Sequence, residues 1–200
     1  MKTFFHALKA SFISMTLFTI ILGVLYPALI FAIGQLCFQK KANGSLVYSR
    51  GKIVGSELIA QNFAQPQYFH PRASSAGSKG YDAANSSGSN LGPTSKKLVD
   101  ALAQRASDFR LMNNISAQTP IPADAITSSG SGLDPHISVQ NAYLQAPRIA
   151  KQRGISLESV RQLIAKKQES SFFNFFGQPY VNVLLLNLAL DQSGIKKERS

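Results

Sequence analysis

The chain has one cysteine, Cys37, no tryptophan, and only 10 acidic residues against 21 basic ones. One thiol excludes a disulfide framework, and it leaves no cysteine set for a metal. The three histidines, His6, His70 and His136, share no ligand spacing. No G-x-x-x-x-G-K followed by Ser or Thr is present, so a Walker phosphate loop is excluded. No G-x-S-x-G is present, which removes the nucleophile elbow. Ser49-Arg50-Gly51-Lys52 matches S-x-x-K, but no K-T-G supports it and it falls in a predicted hairpin turn. No complete catalytic constellation is legible. The net charge of +11 comes from basic residues scattered in ones and twos, such as Lys96-Lys97 and Lys166-Lys167. No aromatic-interleaved basic motif accompanies them, so they read as solvated helix faces and point to no nucleic-acid partner.

Charge itself is missing from residues 10–39, between Lys9 and Lys40. About 20 apolar residues span a bilayer as a helix, and this run is longer. A cleaved signal peptide has a shorter apolar region and a small-x-small end. Here the run closes on Leu36-Cys37-Phe38-Gln39-Lys40-Lys41. The expectation is an uncleaved anchor over 10–39, a cytoplasmic stub over 1–9, and an extracytoplasmic α/β (α+β) domain over 42–200. Pro27 removes a backbone donor and predicts a kink, which neighbouring helices or local adjustments can absorb. Thr16, Thr19 and Gly23 lie about one turn apart, a spacing that suits close helix contact or ordinary lipid exposure. Basic residues flank both ends, so charge counting alone does not orient the helix. The short basic stub resembles a retained export signal, which gives the N-terminus inside and the large domain outside.

The remaining chain of about 160 residues is one domain by length. Leu46-Val47-Tyr48 and Ile53-Val54 around Ser49–Lys52 read as a hairpin, followed by a short helical turn at Glu57–Ala60. A helix is predicted from Ser95, an extended piece over Pro120–Thr127, and a helix from Ser138 to Arg153 closed by Gly154. Ser156 caps the next helix, with Leu157, Val160, Leu163 and Ile164 on one face. Tyr180–Val183 reads as extended and Val183, Leu186, Asn187 and Leu190 fit a final helix, with a strand through the whole of 180–190 as the alternative, since apolar runs of this length are ambiguous.

Two loops share S-S-G-S-x-L-x-P: Ser86-Ser87-Gly88-Ser89-Asn90-Leu91-Gly92-Pro93 and Ser128-Ser129-Gly130-Ser131-Gly132-Leu133-Asp134-Pro135. A flexible linker needs no Leu and Pro at fixed offsets. Both read as ordered loops that bury Leu91 and Leu133, end at Pro, and open a helix. They are either capped turns or contact sites whose backbone N–H groups hold an anion or a partner carbonyl. The contact candidates are Ser86, Ser87, Gly88, Ser89, Asn90, Ser129, Gly130, Ser131, Gly132 and Asp134. Asp134 can pair with His136, but helix N-capping is the expected role.

Tyr68-Phe69-His70-Pro71-Arg72, Tyr81-Asp82-Ala83-Ala84-Asn85-Ser86-Ser87-Gly88-Ser89-Asn90-Leu91-Gly92-Pro93-Thr94, Ser129–Ser138 and Gln178–Asp191 together resemble the C subunit of the bacterial Kdp potassium-transporting ATPase, the KdpC family. The resemblance covers nearly the whole chain, including the anchor and Gly55-Ser56-Glu57-Leu58-Ile59. It departs at Ala73, where the family reads Arg-Pro-Ser after the aromatic pair. The resemblance implies a non-catalytic subunit in the bacterial inner membrane, within a bilayer and beside a channel-like subunit, KdpA, and a P-type ATPase subunit, KdpB. It implies no cofactor of the chain's own, potassium as the transported ion, and ATP through the ATPase subunit. A catalytic-chaperone role that raises ATP affinity is also implied, with Gln145 in Leu144-Gln145-Ala146-Pro147-Arg148 at the position of a nucleotide-contacting glutamine. An outward-facing domain fits a second role, a cap that steadies the ion entrance. The rival readings are a membrane-anchored extracytoplasmic hydrolase using a loop serine, and an anchored solute-binding or adhesion module.

Overall fold

The computed structural model describes residues 1–169 and 177–192. It divides into a unit over Met1–Leu46 and a larger unit over Val47–Ser200.

In the first unit, α1 (Lys2–Ile20), a π-helical segment (Ile21–Leu25) and α2 (Tyr26–Cys37) form one apolar helical run of 36 residues. At 1.5 Å per residue the run is about 54 Å long, well beyond the ~30 Å of a bilayer's hydrocarbon core. The predicted stub over 1–9 is thus the first part of the helix. Pro27 is accommodated locally: just before it the backbone widens, and Tyr26 N–H reaches back to the Ile21 carbonyl. A π turn is a recognised answer to a donor missing from the helical ladder. Thr16 and Thr19 donate their hydroxyls to the Phe12 and Met15 carbonyls, both at 2.8 Å, which hides their polarity. A short α3 (Gln39–Ala42) follows.

The second unit opens, from Val47, within the hairpin of β1 (Leu46–Ser49) and β2 (Lys52–Ser56). Arg50 and Gly51 form its tip with φ of 50° and 75°. Two positive φ values make the twisted turn that suits a two-residue hairpin. Residues 57–60 form a turn, not the helical turn expected of them. Helix α4 (Lys96–Asn113) ends on Asn114 at φ 53°. The expected extended piece at 120–127 contains a short helix, α5 (Ala123–Ile126), because Asp124 turns inward to serve the start of α6.

Strand β3 (His136–Ser138) precedes α6 (Val139–Arg153), and α7 (Leu157–Lys167) follows it. Ser138 and Ser156 cap these helices, accepting from Asn141 N–H and Ser159 N–H, both at 3.1 Å. Gly154, at φ 64°, closes α6 as expected. Strands β4 (Gln168–Glu169) and β5 (Tyr180–Asn182) complete an antiparallel sheet in the order β3-β5-β4, and α8 (Val183–Gln192) ends the described chain. Tyr180–Asn182 is therefore strand and the residues after it are helix. The core joins Ile137 and Val181 of the sheet to Ile149, Val160, Ile164 and Leu186 of the helices, with Phe69 from the connecting chain among them.

Candidate functional site

Five consecutive residues, Pro66 to His70, are held through their backbone by four side chains. An extended chain points the N–H and C=O of one residue to one side and those of the next to the other. Asn187 takes one side: it accepts from Phe69 N–H at 2.8 Å and donates to the Phe69 carbonyl at 2.9 Å. Gln145 takes the other, accepting from His70 N–H at 2.8 Å and donating to the His70 carbonyl at 3.1 Å. Each amide stands in for a neighbouring strand. Arg148 donates to the Pro66 and Tyr68 carbonyls, and Arg153 to the Gln67 carbonyl at 2.8 Å.

Helix α6 makes this grip possible by presenting Asn141, Gln145 and Arg148 on one face. Gln145 also donates to Asn141 Oδ1 and accepts from Arg148 Nη2, both at 2.9 Å. Its two donor and two acceptor positions are all occupied, and the residue is 1% exposed. Arg148 is buried, and its side-chain acceptors are neutral: Asn113 Oδ1 and Gln145 Oε1, each at 2.9 Å. Desolvation lowers its pKa to about 10, which still leaves it charged. His70 sits in the same environment. Its ring Nε2 meets the Gln65 carbonyl at 3.1 Å, and burial, helped by Arg148, pulls its pKa below 6.5.

The two Ser/Gly loops are brought together, each against the other. Ser86 Oγ donates to the Ser131 carbonyl at 2.9 Å, and Ser87 Oγ to the Ser75 carbonyl at 2.8 Å. A Cβ on Gly88 would stand 2.8 Å from the Gly130 oxygen, and one on Gly132 only 2.5 Å from the Ser87 oxygen. Glycine is thus required for the close approach of two backbones. Ser74 fastens the second loop to the chain before the first, donating to the Gly132 carbonyl at 2.6 Å and accepting from Tyr81 N–H at 2.7 Å. Ser129 is buried and Ser131 Oγ accepts from Leu133 N–H, whereas Ser89 and Asn90 are exposed. Leu133 is buried as expected, but Leu91 is only half-buried. Pro93 does lead into α4. Pro135 leads instead into β3, because its carbonyl accepts from Val183 N–H and starts the sheet.

Asp134 does not cap a helix. Its Oδ1 accepts from His136 N–H at 3.0 Å and lies 3.3 Å from His136 Nδ1, while its Oδ2 meets Arg72 Nη1 at 3.0 Å. Burial pushes the Asp134 carboxyl up, and the bonds from His136 and Arg72 outweigh it, leaving the pKa below the usual carboxylate value. The helix-capping role belongs to Ser138, which is itself held by Asp124. Asp124 accepts from Ser138 N–H, Ser138 Oγ and Asn141 Nδ2 at 2.8–2.9 Å. Ile137 pairs with Val181, so the N–H groups of His136 and Ser138 point away from the sheet. Asp134 and Asp124 take both of them and close that edge of β3. A cavity of about 770 Å³ lies alongside, lined by Arg72, Asp124, Asp134, His136 and Tyr180 among others. Its Asp–His pair superficially resembles half of a hydrolytic triad. Its serine, Ser138, donates to Asp124 and not to the imidazole. Among the described residues no serine–histidine hydrogen bond and no metal-ligating cluster occurs.

A model of the family described as "KdpC: K+-transporting ATPase, c chain" matches residues 8–192. The chain belongs to the KdpC family. Its relatives include proteins named Potassium-transporting ATPase KdpC subunit. That of Mycobacterium tuberculosis (strain ATCC 25618 / H37Rv) is 53% identical over 175 residues, covering 88% of this chain and 92% of the relative. That of Caulobacter vibrioides is 50% identical over 185 residues, and that of Beijerinckia indica 47% over 184, each covering 92% of both chains. Tyr68, Phe69 and His70, from a stretch that carried the family resemblance, lie in the gripped segment, and the two Ser/Gly stretches of that resemblance are the paired loops. Sequence reasoning missed Asn187 and Arg148 as grips. Their signal, an amide and a guanidinium amid apolar helix positions, was present but names no partner.

Proposed function

We propose that this KdpC-family chain is the anchored, non-catalytic subunit of a potassium-transporting ATPase. Its helical run packs in the bilayer beside a channel-like subunit of the KdpA kind, and its domain steadies the assembly at the outer face. Any effect on the ATP affinity of a KdpB-type ATPase subunit is indirect. The observation that carries this reading is Gln145, which is buried and has no hydrogen-bonding position left for a nucleotide. The chain needs no cofactor for such a role, and potassium is the cargo of the complex.

The test is to express the full chain with its partner subunits, extract in mild detergent, and identify what accompanies it. Transporter subunits are expected, and a chain that comes out alone sinks the proposal. In the assembled pump, Gln145→Ala should lower the melting temperature and leave ATP affinity within about threefold, roughly 0.65 kcal/mol. An unchanged melting temperature with a tenfold loss of ATP affinity would establish direct nucleotide contact.

A further inference from the structure

The hairpin carries an apolar face that the described structure leaves open. A two-residue tip sets Tyr48 opposite Ile53, so both side chains share a face. They are 61% and 59% exposed. The hairpin is firmly mounted. Gln61 Nε2 donates to the Val54 carbonyl at 3.0 Å, and Asn182 Nδ2 holds the Glu57 carbonyl at 2.8 Å. Gly55 leaves room for the Gln61 side chain, since a Cβ there would meet it at 2.4 Å.

Two further observations say what covers this face. In sequence the charge flanking it is basic up to Ser56: Lys40 and Lys41 precede the hairpin, Arg50 is in its tip, and Lys52 opens β2 on the face opposite Ile53. Arg50 holds φ of 50°, where a glycine or asparagine costs less than a long side chain. The chain itself also limits the reach. Residues 38–45 alone separate the apolar run from β1, a tether of about 28 Å at full extension. A tyrosine and an isoleucine flanked in sequence by cations, on a hairpin separated from an apolar run by eight residues, match the chemistry of an anionic bilayer interface.

We propose that the hairpin is a membrane-interface paddle. Tyr48 and Ile53 insert at the level of the headgroups, and Arg50 and Lys52 bind lipid phosphates. This rests on the anchor reading of the helical run, so the test checks both.

The full chain with Cys37→Ser, carrying a single cysteine at 48 or 53 and an environment-sensitive dye, is reconstituted in vesicles of 30% phosphatidylglycerol in phosphatidylcholine. Nitroxide lipids labelled near the headgroup should quench dye at both positions at least twofold more than dye at Val99. Val99 is an equally exposed apolar site, at 57%, on α4. Arg50→Glu with Lys52→Glu should abolish that difference. Dye at Leu22 should be quenched by deeply labelled lipid. Quenching at Leu22 with none at 48 and 53 overturns the paddle alone, and no quenching at Leu22 overturns the anchor. Protection from aqueous iodide at 48 and 53 only when partner subunits are present would make the face a protein contact and overturn the paddle. Equal quenching at Val99 would overturn it too, by showing general adsorption of the domain.

Discussion

Gln145 and Asn187 show how little an amide's identity reveals until its partner is known. Each replaces the two hydrogen bonds that a neighbouring strand would make, to His70 and to Phe69. An unsatisfied buried N–H or C=O costs about 1–3 kcal/mol, so each side chain guards two such groups. Arg148, charged and buried among neutral acceptors, adds a cation that discourages a second one nearby. His70 feels this. Its pKa is lowered, so the unfolded chain takes up a proton near pH 6.5 while the folded domain still resists. The stability associated with neutral His70 is full above pH 6.5. It is lost as the pH falls from there through the folded pKa. Denaturant unfolding of the full chain in detergent at pH 7.5 and 5.5 should show a drop for the wild type, and His70→Gln should reduce that drop. Equal drops in both proteins would mean that His70 titrates normally in the fold. The slope with pH is the readout, since the substitution also shifts absolute stability by disturbing the bond to Gln65.

The paired loops turn a repeated sequence pattern into one structural element. Their glycines are not equivalent. Gly132 has φ of 68°, and an added Cβ would strike the Ser87 oxygen and the Ala76 nitrogen, at 2.5 and 2.8 Å. Gly130 has open space where its Cβ would be. Gly132→Ala should therefore cost about 2–4 kcal/mol, from left-handed strain plus backbone displacement. Gly130→Ala should stay within about 0.5 kcal/mol. Chemical denaturation of the two variants checks this, and similar costs would mean that the loops do not interlock. Local chemistry was readable in the sequence at this scale: Ser138 and Ser156 as caps, Gly154 as a stop, the hairpin, and Leu133 as an anchor. Contacts across long separations were not. The Ser86–Ser131 bond spans 45 residues and the Phe69–Asn187 pair 118. The expectation of Asp134 as a cap failed for the same reason. One partner, Arg72, is 62 residues away, and no local pattern reports it; the other, His136, is the local pairing that the sequence also offered.

For the whole molecule, the side of the membrane on which the domain lies governs what it can touch. The apolar run is flanked by Lys2 and Lys9 on one side and by Lys40 and Lys41 on the other. Large C-terminal domains translocate largely regardless of their charge, so Lys40 and Lys41 do not oppose export. Gln145, Asn187 and Arg148 are spent on Pro66–His70, and Gln145 is closed to ATP. A saturated Gln145 fits an outward-facing body better than one trading nucleotide in the cytoplasm. The expected topology is therefore N-terminus inside, domain outside. Whole cells carrying the chain with Cys37→Ser and a single cysteine at Ser89 test it with a membrane-impermeant thiol reagent. Ser89 is exposed, whereas Ser129 in the companion loop is buried and would be silent in either topology. Labelling of intact cells is the expected result. Labelling only after the inner membrane is opened would place the domain with ATP, return a nucleotide role to contention, and move the hairpin paddle to the cytoplasmic leaflet.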